Sequence, residues 1–160
     1  MNTNKSDNES RLLIQNQHFL NETSLAEYIE GDAVVRRSFI NCNFEKINLL
    51  GTVWGSCNFQ NCTFNHFFAR KGTFSGCHFE DCKITNSDMT RAEFHDTHFK
   101  NSQFLSVDLA ASSFSKCKLE STRFLESNLN FIIVINVKVW KSKEWVEIKN
   151  FSNFEKHLDE

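Results

Sequence analysis

The chain has 160 residues, enough for one domain that buries a core without disulfide staples, and no proline at all. Its 18 basic and 20 acidic residues leave a formal charge of −2, which excludes a strongly basic polyanion binder and a strongly acidic protein alike. The charge is unevenly spread: residues 1–35 hold two basic and six acidic side chains (−4), residues 36–135 eleven and nine (+2), and residues 136–160 five of each.

Residues 1–11, MNTNKSDNESR, are polar with no apolar core of a signal peptide and are expected to be a disordered tail. Residues 12–35 are expected to form an N-terminal cap. Leu12, Leu13, Ile14 and Phe19 supply contacts, and Ser24 and Glu27 stand at capping-box spacing ahead of Leu25, Tyr28 and Ile29. Gly31 is a candidate helix C-cap. The segment predicts one or two helical turns lying over the end of whatever follows, where stacked backbone would otherwise offer a free edge.

From Phe39 to Val134 every fifth residue is apolar: Phe39, Phe44, Leu49, Trp54, Phe59, Phe64, Ala69 and so on through Phe124, Leu129 and Val134. With 40% of the chain apolar, twenty such hits by chance have a probability on the order of 10⁻⁸, so this is an internal repeat. Neither a helix of period 3.6 nor a strand of period 2 turns every fifth residue to one side. A chain that turns a corner every five residues does. Eleven of the 17 phenylalanines sit on this register. Two residues before each of these centres lies a second series, mostly small: Cys42, Thr52, Cys57, Cys62, Gly72, Cys77, Ser87 and their successors. Ala69 is the one small centre and follows Phe67, the one aromatic in the second series. Either the bulk has moved between neighbouring inward sites, conserving volume, or the chain bulges at residues 68–72.

These units, among them Cys57-Asn58-Phe59, Cys62-Thr63-Phe64, Cys77-His78-Phe79 and Ser87-Asp88-Met89, resemble the pentapeptide-repeat family, with Phe in place of the usual central Leu and Cys, Ser or Thr in place of Ala. The resemblance implies an all-β solenoid: a right-handed quadrilateral β-helix of about five coils over residues 36–135, with four pentapeptides per coil. Residues twenty apart then stack at about one strand spacing, ~4.8 Å. Short helical caps are expected at both ends. In the C-terminal cap, residues 136–160, Ser152 and Glu155 mark a candidate helix over Ser152–Leu158. Just before it, Phe131, Ile133 and Ile135 should point outward while Ile132 and Val134 point in. Three exposed large apolar groups call for a cover, from Trp140, Trp145, Ile148, Phe151, Phe154 and Leu158 or from a homodimer contact at the apolar C-terminal end.

The candidate chemistry is thin. All six cysteines (Cys42, Cys57, Cys62, Cys77, Cys82 and Cys117) fall at the small inward position, where free cysteine packs as a small hydrophobe. Their spacing lacks the C-x2-4-C of common zinc modules, although stacking leaves inter-coil disulfides geometrically open. His78 and His98 are stacked neighbours between Asn58 and Lys118, and Asn41, Asn61, Asp81, Asn101 and Ser121 form a polar ladder. There is no nucleophile elbow, phosphate loop or dinucleotide fingerprint, and no basic patch interleaved with aromatics. The sequence therefore reads as a non-enzyme without cofactor or metal, not bound to nucleic acid or membrane, and cytoplasmic. Its function is expected to be protein–protein interaction, as for the regulators the family resemblance implies in bacteria, notably cyanobacteria. The family's DNA-mimicking members, which bind and protect gyrase, are the alternative; their rods are acidic and this one is near neutral. Two surface groups are candidate partner contacts: Leu105 and Leu125 with Arg123, and Phe68 with Arg70, Lys71 and Arg91.

Overall fold

In the computed structural model, which describes residues 11–150, the chain winds as a β-solenoid whose coils are joined by parallel pairing at a spacing of twenty residues. Four sides follow one another in each coil. Side A has eight strands, beginning at Leu12–Gln15 and Arg37–Ile40, running through His78–Glu80 and His98–Lys100, and ending in Val137–Lys141 and Glu144–Ile148. Side B has six, from His18–Phe19 to Arg123–Leu125, and side C six, from Ala33–Val35 to Ile133–Ile135. The fourth side, between B and C, is a column of single bridges joining Asn48, Phe68, Asp88, Asp108 and Asn128.

Burial of the five-residue register explains the winding. Phe39, Phe44, Trp54 and Phe59 are all buried, and the rings of successive coils stack. Phe59 lies over Phe79 at 4.6 Å and Phe79 over Phe99 at 4.9 Å, both at 16°. Within a coil the rings meet edge-on, as Phe94 and Phe99 do at 5.5 Å and 71°. Offset stacking along the axis and edge contacts across it suit aromatic quadrupoles, so phenylalanine fills this core more specifically than leucine would.

Corners need a backbone device, and one position supplies it. Every fifth residue from Arg36 to Asn136 has a positive φ, between 48° and 68°. The position is rich in Asn, Asp and Gly, which tolerate this region, but also holds Lys46, Lys71, Arg91 and Phe131, which adopt it at a cost of roughly 1–2 kcal/mol each. On the corner between the fourth side and side C these residues sit inside hydrogen-bonded turns. Gly72 N donates to Ala69 O, Ala92 N to Met89 O and Ser112 N to Leu109 O, each at 3.0 Å. Asp88 and Asp108 set up the approach by accepting from the backbone N of Thr90 and Ala110 at 3.0 Å.

The bulge reading of residues 68–72 is not what forms. Phe67 and Ala69 both point inward and are buried, and Phe68 stays in the bridge column. Phe67 fills the space beside Ala69, with Phe64 at 5.2 Å and Trp54 at 6.1 Å. A side chain at Gly72 would bring its Cβ to 2.9 Å from Ala69 O, so this turn would have to shift to take one, although the equivalent turns hold Ala92 and Ser112.

One expectation is corrected at the N-terminal end, and the C-terminal end gains an element. Residues 12–19, placed in an N-terminal cap, are strands of the solenoid itself: Leu12 pairs with Arg37 and His18 with Asn43, twenty-five residues away instead of twenty. The extra five residues are absorbed in the segment that carries the short helix Glu22–Leu25 and the 3₁₀ turn Ala26–Tyr28, and an insertion of five preserves the inward register. Leu25 is buried there, and Tyr28 meets Phe19 and Phe39 edge-on. The N-cap is Asn21, whose Oδ1 accepts from Ser24 N at 3.1 Å, so the capping box lies three residues before the Ser24–Glu27 pair. Gly31, with φ of 62°, makes the tight turn between the bridged residues Glu30 and Ala33 and does not cap the helix. At the other end the strands Val137–Lys141 and Glu144–Ile148 form an antiparallel hairpin on side A, within the segment read as the C-terminal cap. A hairpin continues the ladder of side A and pairs backbone groups that a helix would leave at an open edge. The helix expected over Ser152–Leu158 lies outside the described residues.

Candidate interaction surface

The sides display straight columns of side chains, one residue per coil. Candidate sites are therefore read as columns.

The fourth side and its corner bring Phe68, Arg70, Lys71 and Arg91 together. Phe68 stands in the Asn/Asp column as its only aromatic and is 39% exposed. Arg70 and Lys71 are exposed on the turn that follows Phe68 and Arg91 on the turn one coil along, with the exposed Leu50 on the turn one coil before. Arg70 Nε lies 3.7 Å from Asp88 Oδ2, an acidic group paired into the cluster. The second expected group lies on side B: Leu105 pairs with Leu125 and Gln103 with Arg123, with Leu105 half-buried and Leu125 exposed. The two groups are thus on different sides and do not form one patch.

On side A, His78 and His98 stack as expected, rings 4.6 Å apart at 80°, with Asn58 and Lys118 next in register. Burial holds both imidazoles below the ordinary histidine value, and for His98 the charge of a protonated His78 adds to this. His98 Nε2 is buried without a hydrogen bond and lies 3.6 Å from Glu120 Oε2. Beside it Lys100 donates to Glu80 at 2.8 Å, lowering that carboxyl and raising the lysine.

What sequence reasoning missed is the hairpin's contribution here. Trp140 and Trp145 pair across the strands at 5.2 Å, both partly exposed; Trp145 meets His98 at 5.9 Å, and Lys118 Nζ stands 5.7 Å from its ring centre. These tryptophans were read as a cover for Phe131, Ile133 and Ile135. They lie on side A instead, while Phe131 is 86%, Ile133 53% and Ile135 50% exposed. Ile148, from the same expected set, is buried in the core; Phe151, Phe154 and Leu158 fall outside the described residues. No local signal separates a covering tail from a hairpin that reaches back two strands. The alternation Trp140, Lys138 against Val139, Val137 is the only hint of a strand.

The cysteines pack as read. All six are free and buried, and each thiol donates to a main-chain carbonyl, as Cys62 does to Phe39 O at 3.4 Å and Cys117 to Phe94 O at 3.3 Å. Burial pushes the Cys117 thiol up to about 11. Cys62 is pulled down by a hydrogen bond with Cys42, but Cys82 and burial outweigh this and leave it at about 12. Such thiols carry almost no thiolate near neutral pH. The polar ladder forms at its N-terminal end, Asn61 donating to Asn41 Oδ1 at 2.8 Å and Asn41 to Asn16 Oδ1 at 3.1 Å. Among the described residues no three His, Cys, Asp or Glu side chains are grouped to hold a metal, and no helix is long and apolar enough to cross a membrane.

Comparison with known proteins places this geometry. Residues 57–132 match the family model described as a pentapeptide repeat region. No curated protein sequence matches the chain. Among solved structures it is similar to a pentapeptide repeat protein, Rfr23, from the cyanobacterium Cyanothece 51142, at 10% identity and a TM-score of 0.45 over 78% of this chain and 81% of that one. It is also similar to QnrB1, a plasmid-mediated fluoroquinolone resistance protein, at 16% identity and a TM-score of 0.43 over 75% and 71% of the two chains.

Proposed function

This chain is a pentapeptide-repeat protein, and from that premise we propose that it is a non-enzymatic protein-binding module of the cytoplasm, regulatory or scaffolding in role. The supporting observation is the exposed group of Phe68 with Arg70, Lys71 and Arg91, held on consecutive coils of a hydrogen-bonded ladder. A rigid ladder presents such side chains with little ordering cost on binding, and an aromatic among arginines is the composition of interface hot spots. Leu105, Leu125 and Arg123 form a second contact group on side B. An acidic protein surface is the partner the first group suits. Proteins of this family are generally structural or interaction proteins, which agrees with this reading.

The alternative is a DNA-mimicking gyrase binder. The net charge of +2 over residues 36–135 offers little of the acidity such mimicry needs. Self-association through the apolar C-terminal end is a further partner proposal. The test is affinity capture from native cells with the wild type and with Arg70→Glu/Arg91→Glu and Leu105→Ala/Leu125→Ala variants, alongside a gyrase supercoiling assay. The module reading expects a partner retained by the wild type and lost by one of the paired variants. Inhibition of supercoiling by the wild type would instead select the mimic, and a partner indifferent to both pairs would remove these contact groups.

A further inference from the structure

Side C is a sheet of six in-register strands whose outward side chains differ in size from one end to the other. Near its N-terminal end the outward positions of one coil hold Gly51, Val53 and Gly55; four coils on, the same positions hold Phe131, Ile133 and Ile135. One coil inward from each end the relation repeats, with Gly76 in the column of Lys116 and Lys71 in the column of Ala111. At these four column pairs a small residue in one half thus matches a large one in the other, while Val53/Ile133, Thr73/Ser113 and Ser75/Ser115 pair residues of like size, about a centre at the coil of Arg91 and Glu93.

Gly55 adds an independent observation. It lies within the strand Val53–Gly55, its φ is not positive, and an added Cβ would meet only Val35 Cγ1 and Cγ2 at an ordinary 3.7 Å. The fold has no need of glycine there, and glycine inside a strand weakens it. A missing side chain at such a place leaves room for something outside the chain. Beyond it, Val53 and Val35 are exposed at 40% and 42%.

We propose that side C is the interface of a two-fold, antiparallel dimer of this chain. The axis lies in the plane of the sheet, across the coil of Arg91 and Glu93. It lays Phe131 and Ile135 of each copy into the hollows over Gly51 and Gly55 of the other, and Ile133 against Val53. At the centre Arg91 faces Arg91 and Glu93 faces Glu93 of the other copy, with each Arg91 diagonal to the other copy's Glu93 and long enough to reach it. The strands that overlap, from Val53–Gly55 to Ile133–Ile135, span about 19 Å, four spacings of ~4.8 Å. Contact over so short a face stays below about 1,200 Å² in total, the range of weak and transient interfaces, so the dimer is a reversible one. This deepens the binding-module reading by naming a second copy as one partner.

Sedimentation velocity from about 1 to about 200 µM tests it. The wild type should move from monomer to dimer across that range. Gly55→Trp should remain monomeric with an unchanged melting temperature. Val53→Glu and Ile133→Lys, both on exposed side chains, should each abolish association, and their combination should restore it, because only the antiparallel arrangement sets residue 53 against residue 133. A wild type monomeric throughout, a dimer untouched by Gly55→Trp (as an end-to-end contact would be), or a double variant that stays monomeric each overturns the proposal. A monomer that still captures a partner through Arg70 and Arg91 would remove the dimer and leave the module standing.

Discussion

Phe67 and Ala69 offer the sharpest test of how this core is packed. The Phe67 ring is 1% exposed and lies against Phe64, Trp54 and Phe44 at 5.2, 6.1 and 6.4 Å. Truncation to alanine should cost about 3–5 kcal/mol, the usual range for a buried aromatic. For a chain of this size that is a fall in Tm of roughly 6 to 20 °C. Ala69 is fully buried in a column between Leu49 and Met89, so Ala69→Leu on its own overpacks the site and should cost about 1–3 kcal/mol. Together the changes return the coil to the Ser87/Met89 type of packing one coil after it, with bulk at the centre and a small neighbour. The Phe67→Ala/Ala69→Leu protein should therefore be more stable than Phe67→Ala alone, with a coupling of at least about 2 kcal/mol. Equilibrium urea unfolding followed by circular dichroism, on both single variants and the double, measures this. Additive losses would refute the idea that these two inward sites share one volume.

Three further predictions follow from other parts of the coil. Because burial depresses His78 and His98, the folded state prefers them neutral; stability should be full above the unfolded histidine value of about 6.5 and decline as pH falls through it, a slope that thermal melts of His98→Gln should flatten. Lys46, exposed with φ of 54°, carries the cost of a left-handed corner, so Lys46→Asn should raise stability by about 1 kcal/mol, read as a Tm gain of roughly 2–4 °C. A loss of stability there would show that the corner has some other support. The six thiols should resist a disulfide reagent at pH 8 until the chain unfolds, and Cys62→Ser should cost no more than about 1 kcal/mol, since serine occupies the equivalent position in other coils and keeps the bond to a carbonyl. Rapid labelling of the native protein would contradict this.

The two contact groups illustrate the limits of reading columns alone. Period five locates Leu105 under Leu125 and Arg70 near Arg91, and both pairs stand where that arithmetic sets them. It also turns Phe131, Ile133 and Ile135 outward, as found. It gives no account of what lies across a column from another element. The Trp145–His98 contact joins residues 47 apart through a hairpin that departs from the repeat, and no register relates them.

Determined by sequence alone, then, are the inward series, its coil length once four sides are assumed, and the packing role of the cysteines. Those are consequences of which side chains leave water, and burial is written locally, one residue at a time. The tertiary structure alone decided how the ends finish and where backbone strain resides. Residues 12–19 became strands because the first full coil offers them a ladder, and five extra residues could leave the wall as a helical turn without shifting the register. Residues 137–148 became a hairpin because side A ended in backbone groups still needing partners. Lys46, Arg91 and Phe131 took left-handed corners that their own preferences oppose, since the buried residues on either side leave the chain no other path.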